Sequence, residues 1–287
     1  MKPAPFAYHA PRELDEALEL LREHGEEAKV LAGGQSLMPM LNFRLARIDH
    51  LVDINRIGAQ WERPTFGAET ITIPNLVRQR QLERSAEAPR VLTEALRHVA
   101  HPQIRNRGTI CGSLAHADPA AEMPTVLTAL DARFTLASAR GMRTLSAADF
   151  FLFHLTTALE PDELLLEVSF DRPGPRRFSA FREFATRRGD FALAGVAAVC
   201  EVDAAGVVTD CRLVAAGVAP TPQRLTDAEA LLVGQHLLSD VAKAAGATAR
   251  TQVDPTGDIH ASAEYRARLT GVLVKRALID IREQAHG

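Results

Sequence analysis

The sequence predicts an α+β fold in two domains, and three observations predict it. The 287 residues exceed the roughly 100–200 that one domain commonly holds. Residues 28–55 read as strand, helix, strand. After "DRPGPRR", residues 171–177, strand patterns come first and helical patterns follow, which is the layout of an α+β domain. The prolines and glycine of that stretch mark the boundary, so the second domain is expected over 177–287.

The elements follow in order. "PRELDEALELLREHG" sets Leu14, Ala17, Leu18 and Leu21 at helical intervals, with Pro11 to start the helix and Gly25 to stop it. "AKVLAG" reads as a short buried strand, "SLMPMLNFRLA" as a turn into a helix, and "HLVDIN" as a second strand. Further on, "TITI" alternates like a strand, and "QLERSAEAPRVLTEALRHVA" is helical in its second half. "RFTLASARGMRTLS" reads as two strands joined by "ARG", and "DELLLEVSF" as another. Gly108 and Gly112 bracket "TIC", read as a short strand. A helix is expected to begin near Glu122, because Pro124 is tolerated only in a first turn. Past the boundary, "FALAGVAAVCEVDAAGVVTDCRLVAAGV" reads as three strands with a turn at "DAAG". "DAEALLVGQHL", "DVAKAAGATAR" and "AEYRARLTGVLVKRALIDIREQ" read as helices.

Composition narrows the function class. The net charge of -3 and the absence of a basic run give no broad attraction to nucleic acid. The longest apolar stretch, "FALAGVAAVC", is far short of the ~20 residues of a membrane span. The N-terminal "MKPAPFAYHAPRELDEALE" lacks the apolar core of a signal peptide. Cys111, Cys200 and Cys211 form no CxxC pair and no metal cluster, unlike a secreted disulfide scaffold. A cytoplasmic setting is expected.

Two glycine-rich loops carry the chemistry. "AGGQSLMPMLNFRLA", residues 32–46, follows the apolar "KVL". Paired glycines after a strand leave neighbouring backbone N–H groups free, and such a nest holds phosphate oxygens at a helix start. The stretch is neither GxGxxG nor GxxxxGK[ST], and taken alone a plain turn explains it as well. The second loop, "QIRNRGTICGSLAHADPAAEMP", residues 103–124, changes the balance. Asp118 precedes a proline and is expected in a turn. Two such loops suit a long ligand with a pyrophosphate.

At these residues the chain resembles a known family. "AGGQSLMPMLNFRLARIDHLVDIN" and "IRNRGTICGSLAHADPAAEMP" resemble the two FAD-binding signatures of the medium subunits of molybdenum hydroxylases. That is the carbon monoxide dehydrogenase and xanthine dehydrogenase family. "ATRRGDFALAGVAAV", 185–199, and "AAGVAPTPQRL", 215–225, resemble its C-terminal domain. The resemblance implies a PCMH-type, two-lobed FAD-binding domain over 1–176, with lobes of about 1–58 and 59–176. It implies a C-terminal domain over 177–287, made of a three-stranded antiparallel sheet plus helices.

By the same resemblance, Ala32, Gly33, Gly34, Gln35, Ser36 and Leu37 hold the pyrophosphate of a non-covalent FAD through backbone N–H groups, with Leu31 beside them. Thr109, Cys111, Gly112, Ser113, Leu114 and Ala115 hold phosphate and ribityl oxygens from the other side. Asp118 and Glu122 line the ribityl and flavin region, Leu165 lies against the isoalloxazine ring, and Ala100 sits near the ribityl chain. Cys111 stands where the family usually has glycine. Gln35 stands where carbon monoxide dehydrogenases usually carry histidine, which weakens carbon monoxide as the substrate. His101 and His116 read as flavin neighbours or as plain hydrogen-bonded histidines, and Cys111 as a redox group or a small buried hydrophobe.

A flavin supplies redox chemistry while the protein supplies position and electrostatics. The sequence shows no Ser–His–Asp set, no paired carboxylates with a clear role, no metal site, and no cysteine set for an iron–sulfur centre. No catalytic residue is therefore assigned, and if the chain is a flavoprotein in an electron chain its electrons come from another polypeptide. The resemblance implies which: a small subunit with [2Fe–2S] clusters and a large subunit with a molybdenum–pterin cofactor, assembled as a dimer of heterotrimers. Electrons would then leave the FAD for an external acceptor. The alternatives are a stand-alone FAD-dependent oxidoreductase with its own substrate pocket and a flavin-free structural subunit.

Overall fold

The computed structural model describes residues 2–286. Near the N-terminus the strands Ala7–His9, His50–Asp53 and Ala28–Leu31 form a parallel sheet, with His50–Asp53 in the middle. The expected first helix runs over Leu14–His24 and buries Ala17, Leu18 and Leu21. Its apolar stripe packs with Val52 and Ile54 in one core cluster. Gly25 ends it, at φ 48. The strand Ala7–His9 escapes sequence reading because it is short and mostly exposed, so it carries no alternation to detect.

A five-stranded antiparallel sheet forms the centre. Its strands, in spatial order, are Thr65–Phe66, Thr70–Pro74, Leu164–Asp171, Arg133–Ser138 and Gly141–Ser146. The last two are the hairpin expected around "ARG". The helices Arg90–Leu96 and Glu122–Ala129 share its core cluster. "TIC" corrects the sequence reading. It opens a helix, Ile110–His116, because the Thr109 hydroxyl accepts the N–H of Gly112 at 2.9 Å and caps the first turn. The second glycine loop therefore joins two helices, Pro102–Arg105 and Ile110–His116, rather than a strand and a helix.

The C-terminal sheet is antiparallel: Arg177–Ala185, Ala192–Val202, Val208–Ala216 and the two-residue edge Gln223–Arg224. Its three long strands match the expected number. The stretch read as three strands, however, yields only two of them, and "RFSAFREFA" is the third. The reason lies in burial. Along Ala192–Val202 every residue but Glu201 is buried, because both faces are covered, and a continuous apolar run hides strand ends. Ala194, Val196, Ala198 and Leu213 pack with the helices Ser239–Gln252 and Ala263–His286. Phe181, Ala197, Val199 and Val214 belong instead to the core cluster of the central sheet. The C-terminal sheet thus roofs the core of the part that precedes it.

Candidate functional site

A cavity of about 710 Å³ opens between the two glycine loops, the central sheet and a loop of the C-terminal part. Its volume falls within the roughly 300–1,000 Å³ of small-molecule and cofactor sites. Ala32, Gly33, Gly34, Gln35, Ser36 and Leu37 line one side. Among the described residues, the amides of Gly34, Gln35 and Ser36 have no hydrogen-bond acceptor. The loop is braced from behind, since Asn55 Nδ2 donates to the Ala32 carbonyl at 2.8 Å and Gln35 Nε2 to that of Gly33 at 3.1 Å.

Gly33 is glycine for a reason the sequence did not show. A Cβ there would stand 2.4 Å from the Arg107 carbonyl oxygen and 2.7 Å from Gly108 Cα. The two loops touch backbone to backbone at this point, and that contact sets the width of the cavity. Gly34 needs its glycine for a different reason, a φ of 71.

Thr109, Cys111, Gly112, Ser113 and Ala115 line the cavity from the second loop. The Cys111 side chain points into the core, with Sγ 3.6 Å from the Ile73 carbonyl, and burial pushes its thiol well above the ordinary range. With its thiol in the core and the residue 2% exposed, it is the small buried hydrophobe. Ala100, Asp118, Glu122 and Leu165 also line the wall. Asp118 opens a turn, its carboxylate accepting from the Ala120 N–H at 2.9 Å. Leu31 and Leu114 do not line the cavity. Leu31 packs against Leu41 and Ile48, and Leu114 is fully buried in the central core. His116 lines the wall and His101 does not.

Several wall residues were not foreseen. Asn75 is 1% exposed, and among the described residues neither its Oδ1 nor its Nδ2 has a partner; the same holds for Gln79 Oε1. Orphaned amides are costly inside a protein, and both face the cavity, where a polar ligand would satisfy them. Gly189, Asp190 and Phe191 close the mouth from the C-terminal part. Free amides, orphaned side-chain amides and the apolar shelf of Leu165 together fit a dinucleotide with a flat ring system.

The structure also pairs two carboxylates that the sequence kept 61 positions apart. Burial pushes Glu122 up to about 7, and burial together with Glu122 pushes Glu183 up to about 8. Asp118 adds to the rise at Glu122, while its own backbone amide and Arg105 oppose it. His98 lies 3.7 Å from Glu183. Its own affinity for a proton is lowered by burial and by Arg188 and Arg182, so it gives little relief.

This has a pH consequence. In the unfolded chain both carboxyls release protons near 4.5. The folded chain holds them to higher pH, so it binds more protons between those limits, and stability falls as pH rises from about 5 to 8. The slope belongs to the pair, since each carboxyl's charge depends on the other's. Glu122→Gln should flatten this slope in denaturant titrations at pH 5, 6.5 and 8. A variant with the slope of the parent would refute the assignment.

Comparison with known proteins places this geometry. Residues 4–173 match the family described as the FAD binding domain in molybdopterin dehydrogenase. Residues 179–281 match the CO dehydrogenase flavoprotein C-terminal domain. The chain is 41% identical over 282 residues to the 6-hydroxypseudooxynicotine dehydrogenase complex subunit alpha of Paenarthrobacter nicotinovorans, covering 97% of this chain and 95% of the relative. Among solved structures, carbon monoxide dehydrogenase from Hydrogenophaga pseudoflava superposes with a TM-score of 0.94 at 36% identity, covering 99% of each chain. Quinoline 2-oxidoreductase from Pseudomonas putida 86 superposes with a TM-score of 0.93 at 33% identity, covering 100% of each. With two glycine loops meeting at an FAD-sized cavity and both halves matched in order, this chain belongs to the FAD-binding medium subunits of the carbon monoxide dehydrogenase and xanthine dehydrogenase family, the flavoprotein component of molybdenum hydroxylases.

Proposed function

We propose that this chain relays electrons: it takes them from [2Fe–2S] clusters of a small partner subunit and delivers them to an external acceptor. One non-covalent FAD in the cavity supplies the redox chemistry. In this reading the free amides of Gly34, Gln35 and Ser36 bind the pyrophosphate, and Ser113 and the backbone around Thr109–Ala115 bind from the opposite side. Asp118 and Glu122 face the ribityl chain and the flavin, and Leu165 supports the ring. Leu31 and Leu114 act only through packing. In this reading the domains are 1–176 and 177–287, and the setting is the cytoplasm. No helix among the described residues is long and apolar enough to cross a membrane.

The observation that carries the relay is the fate of the cysteines. All three are buried within the fold, and Cys200 and Cys211 face one another across adjacent strands. None is placed to hold an iron–sulfur centre, which supports a donor on a second chain. The relatives point the same way, since their names carry unrelated substrates while their folds coincide. The substrate is then selected in a large, molybdenum-bearing subunit, within a dimer of heterotrimers.

The test is direct. The isolated chain loaded with FAD should stay yellow when the organic substrate of its complex is added. It should bleach once the small and large subunits are present. Bleaching by substrate alone would make the chain a self-sufficient oxidoreductase.

A further inference from the structure

We propose that His9, His24 and His50 form a binding site for one divalent transition-metal ion of the zinc type, clamping the N-terminal strand to the first helix. The three residues come from three different elements. His9 ends the first strand, His50 begins the central strand of the same sheet, and His24 is the last residue of the helix Leu14–His24. The register pairs Ala7 with His50 and His9 with Val52. Alternation therefore puts His9, His50 and Val52 on one face. Val52 packs with Ala17, Leu18 and Leu21, so that face is the one the helix covers, and His24 closes over it from the helix end.

One ligand atom from each imidazole lies within 4.8 Å of the others. His9 Nε2 is 3.0 Å from His50 Nδ1, and the His24 and His50 rings stack with centroids 3.6 Å apart. Zinc–nitrogen bonds of about 2.0–2.1 Å require nitrogens a little over 3 Å apart in a tetrahedron, the spacing His9 and His50 already have, and ligation requires one of the stacked His24 and His50 rings to turn until both ring planes meet at the ion. All three side chains are half-buried.

Three imidazoles drawn from three elements bring their ring nitrogens together, and neutral imidazole is the form that ligates zinc. His24 also sits in the last turn of its helix, where the backbone dipole favours a cation. The fourth position is left to water. The ion would tie down a strand otherwise held by only three residue pairs.

The full chain, stripped with a chelator, should be titrated with Zn2+ against a chromophoric indicator, and its melting followed with and without Zn2+. One equivalent should bind and raise the melting temperature. His24→Ala and His50→Ala should each weaken binding roughly a hundredfold or more and abolish the thermal shift, while retained FAD reports that the variants fold. Crystals soaked in Zn2+ provide a readout without variants, an anomalous peak between the three rings. Absence of a saturable equivalent, binding that survives the double substitution, or a crystal without that peak would each overturn the site.

Discussion

Gly33→Ala should empty the cavity of FAD and destabilise the chain. The added Cβ would meet the Arg107 carbonyl at 2.4 Å and Gly108 Cα at 2.7 Å. Both obstacles are backbone, so no side chain can swing away. Relief requires the two loops to separate, and the amides of Gly34, Gln35 and Ser36 would move from the opposite wall. Overpacking of this kind costs roughly 1–3 kcal/mol, and the misplaced amides should weaken FAD binding by a further hundredfold or so, as a shift near 1 Å does at positioned sites. The flavin-to-protein absorbance ratio and the denaturation midpoint report the two effects. Gly174→Ala is the control, since nothing lies within 4 Å of its Cβ direction and neither quantity should change. Full flavin content in Gly33→Ala would show that the loop contact does not set the site.

Arg105→Met should destabilise the chain and loosen the wall of the cavity at Ala100. The guanidinium is 5% exposed. It holds Glu83 through Nε at 2.8 Å and through Nη2 at 3.2 Å. Its Nη1 donates to the carbonyls of Val99 at 2.6 Å and Ala100 at 3.2 Å. Ala100 lines the cavity at φ 38, a left-handed conformation that alanine adopts only when its surroundings impose it. Removing Arg105 leaves Glu83 with Arg80 as its remaining partner, 2.6 Å away, strips the Val99 and Ala100 carbonyls of that donor, costs about 1–3 kcal/mol, and frees the 99–101 backbone to relax away from the ligand. Flavin affinity should fall at least tenfold. The exposed pair of Arg133 and Asp171, at 2.9 Å, is the comparison, and Arg133→Ala should cost under about 1 kcal/mol. An Arg105→Met chain with parental stability would show the buried network to be dispensable.

The roofing of the central core by Phe181, Ala197, Val199 and Val214 bears on the C-terminal part. It covers the apolar face of the part that precedes it. Its loop at Gly189–Phe191 also closes the cavity, so one half of the chain alone would lack a wall of the site.

What the sequence by itself determined was local. Gly33 and Gly34 after a strand, the stop at Gly25, the hairpin at "ARG" and the helix start at Glu122 all follow from backbone preferences within a few residues. So does the family, because its motifs are contiguous strings. "TIC" failed because a threonine before a glycine-bearing turn caps a helix as readily as its neighbours form a strand, and only the 2.9 Å contact from Gly112 to the Thr109 hydroxyl decides between them. Leu31 and Leu114 stand apart from the cavity lining because a motif carries every residue in its string, while the fold turns some side chains inward. The tertiary structure alone decided what depends on distance between separated segments: the contact of Gly33 with Arg107, the pairing of Glu122 with Glu183, the orphaned Asn75 and Gln79, and the meeting of His9, His24 and His50. Periodicity encodes which face a residue takes on its own element. It carries no information about which residue of another element packs opposite, and steric exclusion, desolvation and ligation all act across that gap.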